Sequence, residues 1–237
     1  DAAGETVARA AEAAGIEDCP ITFLDRATPS YSAILEPDGN LVTALADMQL
    51  YDMVPARRLS TRQFRARLAA AEFLLVDANL PADALAHLAA MARARGLPVA
   101  AIAISPAKVV RYEAALADLG FLFMNRNEAR ALTGLTEPGA QGFGPALRAL
   151  GLSAGVVTAG GEAVTAFAGD ESVTVVPPPL ADIADVTGAG DALAAGFLDA
   201  HLARAGLGAA LRRGIALARL TAAVRGPVRD DLTPALL

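Results

Sequence analysis

The sequence predicts an α/β fold: a mainly parallel sheet covered by helices on both faces, with a small β appendage near the beginning of the chain. From Phe73 onwards, short apolar runs alternate with segments of helical periodicity, as in strands joined by right-handed helical crossovers. Before that point, two short strands flank the turn sequence EPDGN (36–40), which predicts a separate hairpin. At 237 residues and 54% hydrophobic composition, the chain can bury one large core.

The predicted elements follow one another in a regular order. GETVARAAEAAGI (4–16) has helical periodicity, and the segments ITFL, YSAIL and LVTALADM are predicted as short strands. The later strands are predicted at FLLV (73–76), PVAAIAI (98–104), FLFM (121–124) and AGVVTA (154–159). Helices are predicted at ADALAHLAAMARARG, PAKVVRYEAALADLG and NEARALTG, and the fourth strand precedes a hairpin, EAVTAFAG with ESVTVVP. Two helices, at 190–204 and about 207–224, complete the pattern.

Composition argues against several classes of partner. The formal net charge of -6 disfavours nucleic acid, and no uncharged run is long enough to span a bilayer. The single cysteine, Cys19, excludes an internal disulfide and suits a reducing compartment. We therefore expect a cytoplasmic protein that binds neither nucleic acid nor a membrane.

Polar residues and glycines collect after successive predicted strands. In open α/β sheets, ligands bind outside the carboxyl ends of the strands, where these loops meet. The residues concerned are Asp77, Asn79, Pro81, Ser105, Lys108, Asn125, Asn127, Glu128, Thr158, Gly160 and Gly161. Their concentration predicts a cleft for a phosphate-bearing ligand and a substrate at this edge.

The segment DVTGAGD (185–191) at the start of a predicted helix is the most informative of these loops. It lacks the lysine of a P-loop, and Leu193 occupies the third glycine position of a dinucleotide fingerprint. In a kinase, the N–H groups of Gly188, Ala189 and Gly190 would stabilise the transferring phosphoryl group, and Asp191 would accept the proton of the attacking hydroxyl. The helix terminus should keep Asp191 ionised and make it a weak base. The alternative is an ordinary helix N-terminus with a glycine turn.

The motif NRNE places Asn125 and Glu128 at a strand end and helix start. Glu128 could hold Mg²⁺ beside nucleotide phosphates, directly or through water. The alternative is a capping box, in which Asn125 caps the helix and Glu128 completes the cap. We favour the metal role because DVTGAGD is present in the same chain.

Three further positions could bind nucleotide phosphates. Thr158 could offer a hydroxyl, and Gly160 and Gly161 could offer backbone amides, although a turn before a hairpin explains the same residues equally well. Lys108 could balance phosphate charge, or could be a solvated lysine on a helix.

DVTGAGDALAAGF resembles the second signature of the PfkB (ribokinase-like) carbohydrate and nucleoside kinases, with Val186 in place of a common threonine. NRNE resembles the NxxE motif of that family, and VVTAGGEAV resembles its strand–Thr–x–Gly segment. The resemblance extends along nearly the whole chain and implies a ribokinase-like three-layer αβα sandwich, ATP with Mg²⁺, and Asp191 as the base. It also implies that the hairpin near 31–48 is a lid over the substrate, and that Asp185 and Thr187 lie where part of a K⁺ site would be.

Within that family, TPSYSAILEPDGNLVTALADMQLYD is similar to the pseudouridine kinases, with Asn40 where glutamate is usual. The VDANLP loop and the segment VRDDLTPALL also fit that subgroup. The expected product is pseudouridine 5′-phosphate, and an acceptor group on Asp47 or Asn79 could recognise the additional ring N–H of pseudouridine. Equally, Asp47 could cap a turn and Asn79 could only shape its loop. The substrate residues expected from this resemblance are Thr28, Ser30, Tyr31, Asp47, Asn79 and Asp191.

The chain departs from the family pattern at its beginning. A strand ending near G-x-N-x-D and a Gly-Gly motif should precede Asp1, so we expect a single kinase domain without its N-terminal strand. This sequence would be part of a longer protein or a reduced variant. The lid at about 20–50 should present one apolar face, on which Tyr31, Ala33 and Leu35 alternate, and should form a homodimer. The alternatives are another sugar kinase of the family, a nucleotide-dependent synthase or dehydrogenase, and a non-catalytic nucleotide-binding relic.

Overall fold

The computed structural model describes residues 1–36, 41–138, 142–180, 182–229 and 231–233. The main sheet has six strands in the same order in space as in sequence. They are β3 (Leu74–Asp77), β4 (Val99–Ile102), β5 (Phe121–Asn125), β6 (Ala154–Thr158), β7 (Val164–Ala168) and β8 (Glu171–Val175). Strands β3 to β6 are parallel, whereas β7 and β8 form the antiparallel hairpin expected from the sequence.

Helices cover both faces of this sheet and give the three-layer αβα sandwich expected from the sequence. The helices are α1 (Ala2–Ala13), α2 (Arg62–Ala70), α3 (Ala82–Arg93), α4 (Pro106–Val109), α5 (Arg126–Thr133), α6 (Gly144–Ala149), α7 (Ala189–Leu202) and α8 (Leu207–Ala222). Buried residues of α3 to α6 form one core cluster with one face of the sheet. Those of α7 and α8 form a second cluster with the other face. No helix in the described ranges is long and apolar enough to cross a membrane.

The hairpin outside the main sheet consists of β1 (Ser30–Leu35) and β2 (Leu41–Asp47), which are antiparallel. Residues 37–40 of the predicted turn lie outside the described residues. Tyr31 pairs with Ala46 and Ser32 pairs with Leu45, so Tyr31 and Leu45 lie on opposite faces. Tyr31 is 54% exposed and Leu45 is 70% exposed. The hairpin therefore exposes large apolar side chains on both faces, and the expectation of one apolar face is wrong.

Two other expectations about local structure are also wrong. ITFL (21–24) is not a strand, and no described strand pairs with it: Phe23 packs against the core while Leu24 is 98% exposed. PAKVVRYEAALADLG does not form one helix but breaks into α4 and two 3₁₀ turns, Val110–Tyr112 and Leu116–Asp118. The Tyr112 side chain is fully buried, and its hydroxyl donates to the Ile102 carbonyl (3.1 Å), which draws the segment onto the sheet.

Helices α7 and α8 pack unusually closely at two glycines. A Cβ on Gly214 would lie 2.6 Å from the Leu193 carbonyl oxygen and 3.2 Å from the Cβ of Phe197. A Cβ on Gly196 would lie 2.9 Å from the Arg213 carbonyl oxygen. Small residues at both positions therefore set the distance between the helices.

Gly214→Ala should lower the free energy of unfolding by about 1–3 kcal/mol, because the added methyl group overpacks this contact. Gly208→Ala, in the first turn of the same helix, is the matched control. Its Cβ would meet only ordinary contacts at 3.5 and 3.6 Å, so the higher helix propensity of alanine should raise stability by up to about 1 kcal/mol. Urea unfolding of both variants measures the difference. Equal effects of the two substitutions would contradict this account of the packing.

Candidate active site

A cavity of about 540 Å³ opens at the carboxyl ends of the parallel strands. Most of the residues predicted for catalysis and nucleotide binding line it. These are Asn125, Glu128, Thr158, Gly160, Gly161, Ala189, Gly190 and Asp191. Apolar residues form much of the remaining wall, among them Pro177, Pro178, Pro179, Ile183 and Ile215. A cavity with an apolar wall and a few polar groups at one end suits a ligand that carries both a ring system and an anionic group.

The loop before α7 is held in a shape that only glycine allows at one position. Gly188 has a φ of 78°, and a Cβ there would collide with the backbone of Pro227. Asp185 fixes the loop on its other side, because its Oδ1 accepts from the Thr187 amide (2.8 Å) and its Oδ2 accepts from the Gly226 amide (3.2 Å). Hydrogen bonds from the Thr187 hydroxyl and amide lower the pKa of Asp185. The anionic side chain therefore holds this turn in place.

The amides at the start of α7 are not all available to a ligand. The Ala189 N–H donates to the Val186 carbonyl (3.2 Å), so this amide, predicted to face the phosphoryl group, is already engaged. The N–H groups of Gly190 and Asp191 have no hydrogen-bond partner among the described residues. A Cβ on Gly190 would meet nothing within 4 Å, which leaves open space in front of these amides. The helix N-terminus therefore offers free donors to an anion in the cavity.

Asp191 is a stronger base than the sequence suggests. It is exposed to the cavity, yet desolvation by the surrounding protein raises its pKa, and the negative charge of Asp77 raises it further. This direction is opposite to the one expected from the helix terminus alone, because desolvation and the like charge of Asp77 both disfavour the charged form of Asp191. A base with a raised pKa binds the proton of a hydroxyl more readily.

Glu128 and Asn125 form the capping box that was the alternative to the metal role. Glu128 Oε2 accepts from the Asn125 amide (2.6 Å), while Asn125 Oδ1 accepts from the amides of Asn127 (2.9 Å) and Glu128 (3.0 Å). Glu128 is only 5% exposed, and burial raises its pKa, although the Asn125 hydrogen bond opposes this. Among the described residues, no group of three or more histidine, cysteine, aspartate and glutamate side chains could hold a metal ion. A metal here would thus need ligands in addition to protein side chains, such as phosphate oxygens and water.

Thr158 and the two glycines after it lie beside this cap. Thr158 pairs with Asn125 in the register of β5 and β6, which brings both to the same edge. Gly160 has a φ of 61°, and a Cβ on Gly160 or Gly161 would meet nothing within 4 Å. An ion pair between Arg126 and Glu162 (2.6 Å) joins the two loops. The arrangement leaves room for a ligand above a hydroxyl and a glycine turn.

Apart from Asp191, the residues predicted to bind the acceptor do not line this cavity, as far as the described residues show. Asn79 Oδ1 accepts from Lys108 Nζ (2.6 Å), so a residue predicted on the acceptor side contacts one predicted on the phosphate side. The amide and hydroxyl of Thr28 both donate to the carboxylate of Asp1 (2.8 and 2.7 Å). Ser30 and Asp47 are cross-strand partners at one end of the hairpin.

Two residues at the edge of the sheet have properties that the sequence did not indicate. Asp77 ends β3, accepts from the Asn79 amide (2.7 Å), and lies close enough for its charge to raise the pKa of Asp191. The position of Asp77 directly after an apolar strand already places it at this edge, whereas its effect on Asp191 depends on a long-range proximity. Ile104 lies in the cavity wall with a φ of 66°, and the Ser105 amide spans it to the Ala103 carbonyl (2.8 Å). A left-handed β-branched residue is strained, and sequence patterns do not reveal it.

The fold and the site define an α/β protein with a ligand cavity, free helix N-terminal amides and an adjacent carboxylate of raised pKa. A family model described as pfkB family carbohydrate kinase matches residues 1–233. The chain therefore belongs to the pfkB family of carbohydrate kinases, as its DVTGAGD and NRNE motifs indicate.

Individual relatives agree with this assignment. A carbohydrate kinase from Agrobacterium tumefaciens has a solved structure that is 51% identical, with a TM-score of 0.87, and the match covers 100% of this chain and 75% of the other. An adenosine kinase from Anopheles gambiae is 21% identical, with a TM-score of 0.81 over 95% of this chain and 72% of the other, which supports the fold. The pseudouridine kinase of Escherichia coli (strain K12) is 28% identical over 175 residues, or 72% of this chain. This match spans 54% of that relative, about half its length.

Asp77→Asn should move the acid limb of the pH profile of kcat/KM to lower pH. Asp191 must be deprotonated to act as a base, and removing the neighbouring negative charge lowers its pKa. Activity lost in the wild type as the pH falls would therefore persist to a lower pH in the variant. Asp83→Asn, which removes an exposed carboxylate in the first turn of α3, is the control and should leave the limb unchanged. An acid limb that stays in place or rises in Asp77→Asn would contradict the assignment.

Proposed function

We propose that the protein is an ATP-dependent kinase that phosphorylates a hydroxymethyl group of a ribose-containing nucleoside. The observation that carries this proposal is the juxtaposition of the Asp191 carboxylate with the free amides of Gly190 and Asp191 at the cavity. The amides would stabilise the charge on the transferring phosphoryl group, while Asp191 accepts the proton of the attacking hydroxyl. The raised pKa of Asp191 supports the second role, because it brings this carboxyl closer to the pH at which a general base works best.

The remaining polar residues of the cavity would hold the phosphate donor. Thr158, Gly160 and Gly161 offer a hydroxyl and open backbone space, and Asn125 lies beside them. Mg²⁺, when bound with the nucleotide, would neutralise phosphate charge. Glu128 fits a water-mediated role, because Oε2 is engaged by the helix cap while the side chain still lines the cavity.

Two cation roles follow less directly from the contacts. Lys108 would act on phosphate charge only after leaving Asn79, so its contact supports a role beside the acceptor at least as well. We also propose a K⁺ effect at Asp185 and Thr187, which would act on the start of α7 through the turn that Asp185 holds.

For the acceptor we propose pseudouridine. The similarity to a pseudouridine kinase supports this choice, and so do the hairpin and VDANLP motifs. Asn79 and Asp47 are the candidate acceptors for the additional ring N–H. The similarity to a carbohydrate kinase from Agrobacterium tumefaciens favours a second candidate, a sugar such as ribose or fructose. The single free cysteine, Cys19, and the need for ATP support a cytoplasmic location.

The decisive experiment measures ADP release by the full-length protein with pseudouridine, uridine, adenosine, ribose and fructose as acceptors. We expect the highest kcat/KM with pseudouridine and product formation at its 5′-hydroxyl. Asp191→Asn should bind ATP normally but lower kcat by roughly 10²–10⁴-fold, because the general base is lost. A higher kcat/KM with ribose or fructose would reject pseudouridine as the preferred acceptor but would leave the assignment as a kinase intact. ATP binding without transfer to any acceptor would favour a nucleotide-binding relic.

Glu128→Gln should raise the Mg²⁺ concentration needed for half-maximal activity more than it lowers stability. Glutamine can still accept from the Asn125 amide, so the helix cap survives while the charge is removed. Glu128→Ala removes both the hydrogen-bond acceptor and the charge, and therefore serves as the comparison variant. An unchanged Mg²⁺ titration of Glu128→Gln, with a lower Tm, would show that Glu128 serves only the cap.

We further propose that β1 and β2 form a homodimer contact. Tyr31 on one face and Leu45 on the other are largely exposed, and a two-stranded sheet with such faces needs cover. Light scattering of the full-length protein at micromolar concentration should give the mass of a dimer. Leu45→Lys should shift it towards a monomer, whereas Leu150→Lys, at an exposed leucine after α6, should not. A monomeric wild type would reject the proposal.

A further inference from the structure

One arginine side chain gathers the backbone of the loop after β3. Arg111 Nη1 donates to the carbonyl oxygens of Ala78 (3.3 Å), Asn79 (2.8 Å) and Leu80 (3.2 Å). Three consecutive carbonyls that converge on one cation fix the path of this loop, because each would otherwise need a separate donor.

The same guanidinium also reaches the segment that follows the β1–β2 hairpin. Arg111 Nη2 donates to Asp52 Oδ1 at 2.9 Å, and Asp52 lies in the 3₁₀ turn Gln49–Met53, two residues after the end of β2. We call the contacts of Arg111 with Asp52 and with the carbonyls of 78–80 the Arg111 clamp. The clamp joins two segments that no strand pairing connects.

The arginine itself is firmly anchored. The neighbouring Val109 and Tyr112 are fully buried, and the Tyr112 hydroxyl donates to the Ile102 carbonyl (3.1 Å) at the end of β4. The Arg111 side chain is 25% exposed, whereas that of Asp52 is 58% exposed. One end of the clamp is therefore fixed to the core, and the other end lies in solvent.

The loop that the clamp holds carries groups of the acceptor side. The Asn79 side chain accepts from Lys108, which lies one turn before Arg111. The Asn79 backbone amide donates to Asp77. Asp77 in turn lies near enough to Asp191 to raise its pKa. A shift of this loop would therefore move Asn79 and Asp77 relative to the catalytic carboxylate.

We propose that Arg111 is a positioning residue for the acceptor, which fixes the loop 77–80 and couples it to the base of the β1–β2 hairpin. The inference rests on the proposed function, because it takes this loop and this hairpin as the acceptor side. Arginine suits the role because its planar fork carries five donors in fixed directions, whereas a lysine ammonium cannot serve the carbonyls and Asp52 in the same geometry.

The test compares Arg111→Met, Arg111→Lys and Asp52→Asn in the full-length protein, with pseudouridine as acceptor, or ribose if ribose proves the better one. Arg111→Met should raise the acceptor KM by about tenfold or more while the KM for ATP stays within about twofold. Arg111→Lys should recover only part of the loss. Asp52→Asn, which breaks only the link to the hairpin, should raise the acceptor KM less than Arg111→Met does.

Hydrogen exchange separates this proposal from the kinase assignment, because it needs no turnover. Arg111→Met should increase amide exchange in both 77–80 and 49–53, whereas Asp52→Asn should increase it only in 49–53. Arg93→Met is the matched control: it removes another arginine–aspartate pair of the same length, Arg93 with Asp118 at 2.9 Å, away from this loop. Arg93→Met should change neither the amide exchange of 77–80 and 49–53 nor the acceptor KM.

Two results would overturn the proposal. The first is an Arg111→Met variant whose acceptor KM and whose amide exchange in 77–80 and 49–53 equal those of the wild type. The other is an equal rise of the KM for ATP and for the acceptor with a lower Tm, which would mark a general loss of structure. If Arg111→Met does not fold, Asp52→Asn is the deciding variant. A wild-type acceptor KM together with wild-type amide exchange in 49–53 would then reject the coupling of the loop to the hairpin. If the wild type phosphorylates no acceptor, the proposed function fails, and the exchange measurements alone support or reject the clamp.

Discussion

The close packing of α7 on the sheet is the constraint on which the site depends. Phe197 meets the rings of Phe121 and Phe123 edge-on, with centroids 5.0 and 5.3 Å apart. Next to this contact α7 is also held against α8, where Gly196 and Gly214 leave no room for a methyl group. These contacts fix the axis of α7, and hence the place where its first amides and Asp191 meet the cavity. Burial of apolar surface thus supplies the precision that the polar groups need.

Opposing electrostatic effects are balanced at the mouth of this helix. The N-terminus of α7 favours negative charge, which suits a phosphoryl group but would also weaken a carboxylate base. Desolvation and the charge of Asp77 act in the other direction and raise the pKa of Asp191. At the neighbouring edge, Asp185 has a lowered pKa and serves as a fixed anion for the turn. Two carboxylates six residues apart therefore have different environments, which suit one for proton transfer and the other for structure.

The sequence predicts the sheet, and the gathering of several polar residues at one of its edges, because both depend on local patterns. Apolar strands of regular spacing and the DVTGAGD and NRNE motifs place Asn125, Thr158 and Asp191 at one edge. The errors arise where long-range contacts decide. The buried Tyr112 breaks a predicted helix, and the left-handed Ile104 carries no sequence signal. Likewise, the pKa of Asp191 depends on Asp77, which is more than a hundred residues away in sequence.

The two sides of the site differ in how they are built. On the proposed phosphate side, the parallel register of β5 and β6, the capping box of α5 and the turn that Asp185 holds before α7 fix the groups through short-range contacts. On the proposed acceptor side, the loop after β3 is held by Arg111 and Lys108, and the β1–β2 hairpin meets the main body through exposed groups such as Asp52. If these are the donor and acceptor sides, their separate supports suit a fold that keeps one chemistry while the accepted molecule varies. Substrate choice would then be set by the few contacts that join the hairpin to the loop after β3, rather than by the catalytic helix.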